Sequence, residues 1–202
     1  MNRTKLFLLF CLLLQVLTLG AQQKREFRGA WIQCVNGQFK GLGRDEMQRQ
    51  LTQQLNELQR DGVNAIIFQV RAECDALYDS PLEPWSRYLT GQQGVAPNPF
   101  WDPLQWMVTE CHRRGMELHA WINPFRAKTK GTQELAANHV AIKNPGGMFA
   151  YGEQLIMNPG QPENRTYRYN AFRNNCSTRP LDLYFATLTD FGKLDERGSQ
   201  LT

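Results

Sequence analysis

The chain carries two short apolar segments that each end in polar side chains able to bind a ligand. Met116–Ile122 runs directly into Asn123, and Val63–Val70 runs directly into Arg71. Apolar runs of this length, bounded by Gly and Pro, indicate buried strands. Amide groups both donate and accept hydrogen bonds, and a guanidinium group offers a fixed fork of donors. The recurrence of this pattern at two strand exits predicts one shared pocket.

The elements that precede these strand ends must position them. Apolar residues recur at helical spacing in two segments, and Asp102 with Pro103 is a typical helix start. Alternating strands and helices indicate a parallel α/β sheet, in which the carboxyl ends of the strands form the ligand-binding rim. The predicted elements are a strand over Glu26–Val35, a helix over Arg44–Arg60, a strand over Val63–Val70, a helix over Asp102–Arg114 and a strand over Met116–Ile122.

Less regular segments connect and follow these elements. The segment from about Asp79 to Trp101 is rich in Pro and aromatic residues, which predicts an ordered lid or rim. The remaining predictions are a weak helix or ordered loop over Gly131–Lys143, a strand or hairpin arm over Phe149–Met157 and a helix from Pro162 to about Phe172.

The carboxyl-terminal part of the chain has the weakest pattern. After about Tyr167 the helical periodicity is lost; Leu181–Leu188 could form a strand, and Asp190–Thr202 is polar without periodicity. A complete (β/α)₈ barrel needs about 250 residues. The chain therefore has room for about four βα units, and a half-barrel would expose an edge strand and an open core.

The amino terminus has the pattern of a signal peptide. Arg3 and Lys5 precede an apolar core over Leu6–Leu19, and small residues follow at the expected cleavage point. We expect cleavage after Ala21, with Gly20 as the alternative, and a secreted or periplasmic product. An uncleaved anchor is less favoured because the run is shorter than the roughly 20 residues that span a bilayer. The mature chain has no second apolar segment of that length.

Charge and cysteine content limit the classes of partner. The net charge of +4 falls when the signal peptide leaves, and the sequence contains no Lys/Arg run, so nucleic-acid binding is not indicated. Cys34 and Cys74 both follow predicted neighbouring strands and could form a disulfide, although buried free thiols are the usual state. The spacing of Cys and His residues does not resemble a zinc site. We expect neither a metal nor an organic cofactor.

Six motifs between Glu26 and about Tyr167 together carry a family resemblance. They are EFRGAWI at Glu26–Ile32, GVNAIIFQVRAECDALYDS at Gly62–Ser80, EPWSRYLTG at Glu83–Gly91, WDPL at Trp101–Leu104, RRGMELHAWINPFRA at Arg113–Ala127 and MNPGQPE at Met157–Glu163. On these motifs the chain resembles the glycosyl-hydrolase-like 10 family of secreted bacterial proteins.

The resemblance implies a fold and an activity. It implies an α/β fold that is the N-terminal half of a partial (β/α)₈ TIM barrel, preceded by a signal peptide at residues 1–21. The barrel part covers residues 26–167, and residues 168–202 form an unassigned tail. In the family a strand ending in paired aspartates should follow the Asn-Pro-Gly motif, and we find none after Tyr167. A shifted reading frame or a truncated gene would explain its absence.

The implied activity is glycoside hydrolysis of bacterial polysaccharide or cell-wall glycan, so the expected partner is a carbohydrate. Such hydrolysis usually needs two carboxyl groups beside the scissile bond. Asp75 and Glu73 are the candidates, with Asp75 equally suited to bind a hydroxyl, orient Arg71 or cap a turn. The catalytic pair stays unassigned. The candidate substrate-binding residues are Arg28, Trp31, Gln69, Arg71, Trp85, Trp121, Asn123, Arg126 and Asn158.

Each of these candidates also has a structural alternative. Trp31 and Trp121 offer flat aromatic faces to a sugar, or they fill the barrel core. Each Arg binds substrate, or it ties strand ends together through backbone carbonyls. His119 is better explained as a core histidine than as a catalytic base. For the chain as a whole the alternatives to a hydrolase are a carbohydrate-binding remnant without catalysis and a non-functional fragment.

Overall fold

The computed structural model describes residues 26–132, 134–178 and 183–186, with the backbone alone for 174–178 and 183–186. The predicted signal peptide, Met1–Ala21, and the end of the predicted tail, residues 187–202, lie outside the described residues. Within the described residues, none of the helices has the length and apolar character needed to cross a membrane.

The elements alternate between strands and helices in the order expected of a parallel α/β fold. They are β1 Gly29–Ile32, α1 Arg44–Arg60, β2 Ala65–Arg71, α2 Arg87–Thr90, α3 Pro103–Arg113, β3 Glu117–Ile122, β4 Arg126–Lys128, α4 Val140–Lys143, a 3₁₀ turn Pro145–Gly147, β5 Met148–Tyr151, β6 Gln154–Met157, α5 Pro162–Thr178 and β7 Leu183–Ala186.

A sheet of four parallel strands, in the order β1-β2-β3-β7, forms the centre of the fold. The register places Trp31 beside Ile67 and Ile67 beside His119. The three strands predicted from apolar runs are confirmed, and each begins later than predicted. Because all four strands run in the same direction, their carboxyl ends lie at one edge of the sheet.

Helices α1 and α3 bury one face of this sheet. Met47, Leu51 and Leu55 of α1 recur every four residues and are fully buried, together with Ile66 and Phe68 of β2. Burying an aliphatic or aromatic side chain of this size stabilises a fold by about 1.5–3 kcal/mol. The predicted bounds of α1 are confirmed, and the predicted start of α3 is confirmed by a hydrogen bond from the Gln105 amide to the Asp102 carboxylate (2.8 Å).

The opposite face of the sheet carries aromatic side chains. Residues alternate between the two faces of a strand, so Trp31, Ile67, His119 and Trp121 face away from α1 and α3. Phe27 packs on His119 with ring centroids 5.3 Å apart, and yet it is 57% exposed; Trp31 is 50% exposed. In the described part of the chain this inner face is therefore exposed at Phe27 and Trp31, while Ile67 and His119 on the same face are buried.

An antiparallel sheet follows β3, with strand order β4-β6-β5. It packs around Phe125 and Met157 and forms a second apolar cluster. The predicted hairpin arm at Phe149–Met157 is resolved into two paired strands, and the predicted weak helix at Gly131–Lys143 is confined to α4. The segment that follows β3 is held by this sheet, and it lies against the carboxyl end of β2.

Regular secondary structure continues into the part of the chain that we expected to form an unassigned tail, from residue 168 onward. Helix α5 continues past the expected end at Phe172 to Thr178. Strand β7 lies within the apolar run Leu181–Leu188 and pairs in parallel with β3, with Leu183 opposite His119. The alternation of helix and strand therefore continues through residue 186.

Candidate functional site

The carboxyl ends of β1, β2 and β3 are tied together by the amide of Gln69. Its Oε1 atom accepts hydrogen bonds from the backbone N–H groups of Cys34 (3.1 Å) and Val35 (3.4 Å). Its Nε2 atom donates to Oδ1 of Asn123 at 2.9 Å. Gln69 and Asn123 are both buried. The structure thus brings these two predicted residues together, as a link between strands.

Arg71 forms a fully buried ion pair with Glu83 from the long segment after β2. The guanidinium donates from Nε to both carboxylate oxygens (2.8 and 2.9 Å) and from Nη2 to Oε1 (2.6 Å). Its Nη1 atom donates to the backbone carbonyl of Asn123. Both side chains are 0% exposed. Arg71 therefore takes the structural role that the sequence left open, joining β2 to the end of β3.

Tyr167 of α5 completes this buried cluster. Its hydroxyl donates to Oε1 of Glu83 at 3.2 Å. Burial, with repulsion from the Glu83 carboxylate, raises the pKa of Tyr167 well above its ordinary value. The phenol stays protonated and continues to donate at any physiological pH. Helix α5 is fixed in this way to the strand ends of the sheet.

Glu73 is held by four hydrogen-bond donors. It accepts from Nε of Arg87 (3.1 Å), from the Thr129 amide (3.0 Å), from Oγ1 of Thr132 (2.8 Å) and from the Tyr88 hydroxyl (3.3 Å). Burial alone would raise the pKa of Glu73, but the bonds from Arg87, Thr129 and Thr132 outweigh it and keep that pKa below its ordinary value. Glu73 is therefore an ionised acceptor and is poorly suited to donate a proton.

Asp75 lies beside Glu73 and is also buried. It accepts from the Glu73 amide (3.0 Å) and from Nε2 of Gln93 (3.2 Å). Burial, and then repulsion from Glu73, raises the pKa of Asp75. This carboxyl group closes a turn, which is one of the roles the sequence left open.

His139 joins the same region and was not identified from the sequence. Its Nδ1 atom accepts from the Ala141 amide at 3.1 Å, so Nε2 carries the proton and donates to the Glu73 carbonyl at 2.7 Å. Burial lowers the pKa of His139. The segment around it has no strong periodicity, so nothing in the sequence pointed to this contact.

An open pocket lies next to the buried cluster, along β1. Trp31 and Trp121 form a perpendicular pair with ring centroids 4.9 Å apart and an interplanar angle of 85°. They line a cavity of about 440 Å³, a size typical of ligand pockets. The polar side chains that line it are Gln33, Asn36, Gln38 and Gln54. Gln33 and Asn36 follow a strand exit, which was the available sequence signal; Gln54 belongs to α1 and gave none.

The other predicted binding residues lie elsewhere or have structural partners. Arg28 lies at the amino end of β1, where it donates to the Gly62 carbonyl and pairs with Glu26 at 3.3 Å, so the structure does not bring it together with the candidates at the strand exits. Trp85 packs against the main core and against Phe100.

Arg126 and Asn158 are half-buried and bonded to the backbone. Nε of Arg126 donates to the Ala72 carbonyl at 3.0 Å, which ties β4 to the exit of β2. Oδ1 of Asn158 accepts from the Gly160 amide at 2.8 Å and closes the Asn-Pro-Gly turn. Both contacts shape the loops around the strand ends.

The three cysteines whose side chains the structure describes are separate buried thiols. Cys34, Cys74 and Cys111 are free, so the alternative of a Cys34–Cys74 bridge is not formed. Burial raises the pKa of Cys74 to about 12. In the described part of the chain, three or more His, Cys, Asp or Glu residues do not come together in a group that could hold a metal ion.

The sequence matches the family described as glycosyl hydrolase-like 10 over residues 26–194. The chain belongs to this family. The glycosyl hydrolase-like 10 match continues past Tyr167, where the motifs we recognised end, so our expectation that the family resemblance stops there was wrong. Strand β7 lies within the matched range.

Relatives of this glycosyl hydrolase-like 10 chain include two bacterial proteins. Glycosyl hydrolase YngK of Bacillus subtilis (strain 168) is 41% identical over 73% of this chain and 30% of YngK. Glycosyl hydrolase DigH of Escherichia coli (strain K12) is 31% identical over 80% of this chain and 41% of DigH. The chain spans less than half the length of either relative.

The fold is similar to that of a solved glycoside hydrolase. The crystal structure of the GH36 alpha-galactosidase AgaB from Geobacillus stearothermophilus matches with a TM-score of 0.50 and 14% identity, over 82% of this chain and 21% of AgaB. At this identity the likeness concerns the fold alone. Together with the four parallel strands, it agrees with a partial TIM barrel in the glycosyl hydrolase-like 10 chain.

Proposed function

We propose that this chain recognises carbohydrate in the Trp31–Trp121 pocket, as part of a glycoside hydrolase that acts on bacterial polysaccharide or cell-wall glycan. The observation that carries the proposal is the half-exposed indole of Trp31, held at right angles to Trp121 beside amide side chains. An aromatic face gives a large, rigid contact for the apolar face of a sugar ring, and amides bind its hydroxyl groups. Family membership supports the same class of ligand.

The buried cluster around Gln69, Arg71 and Glu83 keeps this pocket in shape. Gln69 fixes the exit of β1 through the backbone of Cys34, and Arg71 fixes the exit of β3 through the Asn123 carbonyl. Since a binding site must be held close to its working geometry by a rigid surround, these groups are positioning residues.

Binding without hydrolysis is the second candidate, and one observation favours it. Glycoside hydrolysis needs two carboxyl groups that reach the scissile bond. Glu73, Asp75 and Glu83 are buried and hydrogen-bonded, and the described residues that line the pocket include no carboxylate. A catalytic pair for the first candidate would come from outside the part of the barrel described here.

A binding and turnover experiment separates the two candidates. The purified mature chain is incubated with cell-wall glycan, and released reducing ends are measured alongside affinity. Reducing-end release supports the hydrolase; binding without release supports the binding function; absence of both overturns the proposal. Trp121→Ala is expected to weaken binding about tenfold, which corresponds to about 1.4 kcal/mol. Phe100→Ala, which removes an exposed aromatic ring outside the pocket, serves as the matched control.

We also propose that the chain is exported. The support is the charged start and apolar core of Met1–Ala21. Expression in a bacterial host, followed by fractionation and N-terminal sequencing, tests this. A periplasmic or secreted product that begins at Gln22 is expected, and a cytoplasmic product that retains Met1 contradicts the proposal.

A further inference from the structure

The pocket beside the carboxyl end of β1 is polar, and its lining carries no charged group. Its polar lining consists of four amide side chains, those of Gln33, Asn36, Gln38 and Gln54, next to the two indoles. We propose that this pocket is a subsite for an uncharged sugar unit and that it discriminates against units bearing a carboxylate or another anionic group. The inference rests on the proposed carbohydrate-binding function and adds the class of sugar.

The hydrogen bonds among these amides leave both donors and acceptors available. Gln38 donates from Nε2 to the Gln33 carbonyl, and its Oε1 atom accepts from Nε2 of Gln54 at 3.3 Å. Oδ1 of Asn36 accepts from the backbone N–H of Gln38 at 3.1 Å. Within the described part of the chain, the Gln33 side chain, Nδ2 of Asn36 and Oε1 of Gln54 make no hydrogen bond.

A sugar hydroxyl matches this mixed set better than a carboxylate does. A hydroxyl donates one hydrogen bond and accepts others, so it can use both the Asn36 donor and the Gln54 acceptor. A carboxylate only accepts, and it would face the Gln54 oxygen with repulsion. Because the lining of the pocket carries no counter-charge, an ion pair does not offset the hydration that a carboxylate loses on entering it.

The arginines that could have supplied a counter-charge are engaged elsewhere. Arg71 is buried in its pair with Glu83, and Arg28 lies at the opposite end of β1 with Glu26. Arg126 donates to the Ala72 carbonyl. These three arginines thus serve the fold, and the described residues that line the pocket offer only neutral groups.

The test compares one glycan in two charge states. Cell-wall glycan strands bearing carboxylates, and the same preparation with the carboxylates reduced to alcohols, are titrated into the mature chain by calorimetry. The titrations are run at about 0.01 M and about 1 M salt, where the screening length differs about tenfold. We expect reduction to tighten binding severalfold and salt to change the affinity for the reduced glycan less than about twofold.

Two variants that each add one positive charge test whether the charge of the pocket sets the preference between the two glycans. Gln33→Lys places a cation in the pocket and is expected to reverse the preference toward the carboxylated glycan, with affinity that falls at high salt. Gln53→Lys adds the same charge on the exposed surface of α1, outside the pocket lining, and is expected to leave the preference unchanged.

The outcomes distinguish this inference from the function on which it rests. Wild-type binding that weakens about tenfold on carboxylate reduction, or that falls steeply with salt, overturns the neutral subsite and leaves carbohydrate binding in place. Equal affinity for the two glycans also overturns it. Absence of binding to either glycan overturns both the subsite and the proposed function.

Discussion

Replacing Glu83 by alanine would leave the buried guanidinium of Arg71 without its carboxylate. The pair has three short N–H···O contacts of 2.6–2.9 Å, and neither side chain reaches solvent. Removing one partner of a fully buried pair costs about 3–5 kcal/mol because the remaining charge is uncompensated. Tyr167 also loses its acceptor. Since a domain is stable by only about 5–15 kcal/mol, this loss is a large part of the total.

Urea unfolding and a thermal melt of the mature chain measure this effect. For a chain of this length, each kcal/mol lost from the free energy of unfolding lowers Tm by about 2–4 °C. Glu83→Ala is therefore expected to lower Tm by about 6–20 °C. The double variant Arg71→Met/Glu83→Leu removes both charges and should recover most of the loss. Glu46→Gln breaks the exposed pair with Arg49 and serves as the control, with an unchanged midpoint.

The outcome that refutes this reasoning is a small change in the single variant. If Glu83→Ala costs less than about 1 kcal/mol, Arg71 has another counter-charge or is solvated. The buried cluster of Arg71, Glu83 and Tyr167 would then not exist as described. A double variant that is no more stable than the single one would show that the penalty arises from lost packing.

Further predictions concern the buried carboxylates and thiols. Because hydrogen bonds hold the folded pKa of Glu73 below its ordinary value, its ionised form stabilises the fold at neutral pH. That contribution is lost as the pH falls through the ordinary value of about 4.3 toward the folded pKa, so Glu73→Gln should flatten the acid side of a urea-midpoint profile; an unchanged slope contradicts this. Because burial raises the pKa of Asp75, its ionised form destabilises the fold at neutral pH, the opposite of the effect of Glu73. Asp75→Asn should therefore cost less stability at pH 7 than Glu73→Gln. With a pKa of about 12, Cys74 should resist alkylation at pH 8 in the native protein and react after unfolding, as read by peptide mass spectrometry; rapid native labelling would contradict its burial.

The bounds of α1 and the start of α3 were predictable because local signals determine them, whereas α2 was not predicted and α5 extends beyond its expected end. Met47, Leu51 and Leu55 at four-residue spacing predict α1, and Asp102 followed by Pro103 predicts the start of α3. Strand starts were less accurate, because an apolar run such as that of β2, whose residues are all buried, has no residue that marks where strand pairing begins. Strand β7 was identified only as an apolar run, since its place beside β3 depends on contacts distant in sequence.

The contents of the site were predictable in part. Gln69, Trp121 and Asn123 follow from their positions at strand ends, and the structure brings them to one region. The partners of Arg71 and Glu73 were not predictable, because Glu83 and Thr132 lie in irregular segments and Arg87 begins the short helix α2 inside the long segment, and tertiary packing sets the path of all three. For the same reason the sequence could not separate buried positioning groups from groups exposed to a ligand.

The most direct test of a sugar pocket at the carboxyl end of β1 is a crystal structure of the mature chain soaked with a glycan fragment. A sugar ring in van der Waals contact with the Trp31 indole, at about 3.5–4.0 Å, with hydroxyls bonded to Gln33 or Asn36, is the predicted result. A fragment bound instead beside Phe100, or at the Arg28 end of the sheet, would contradict it.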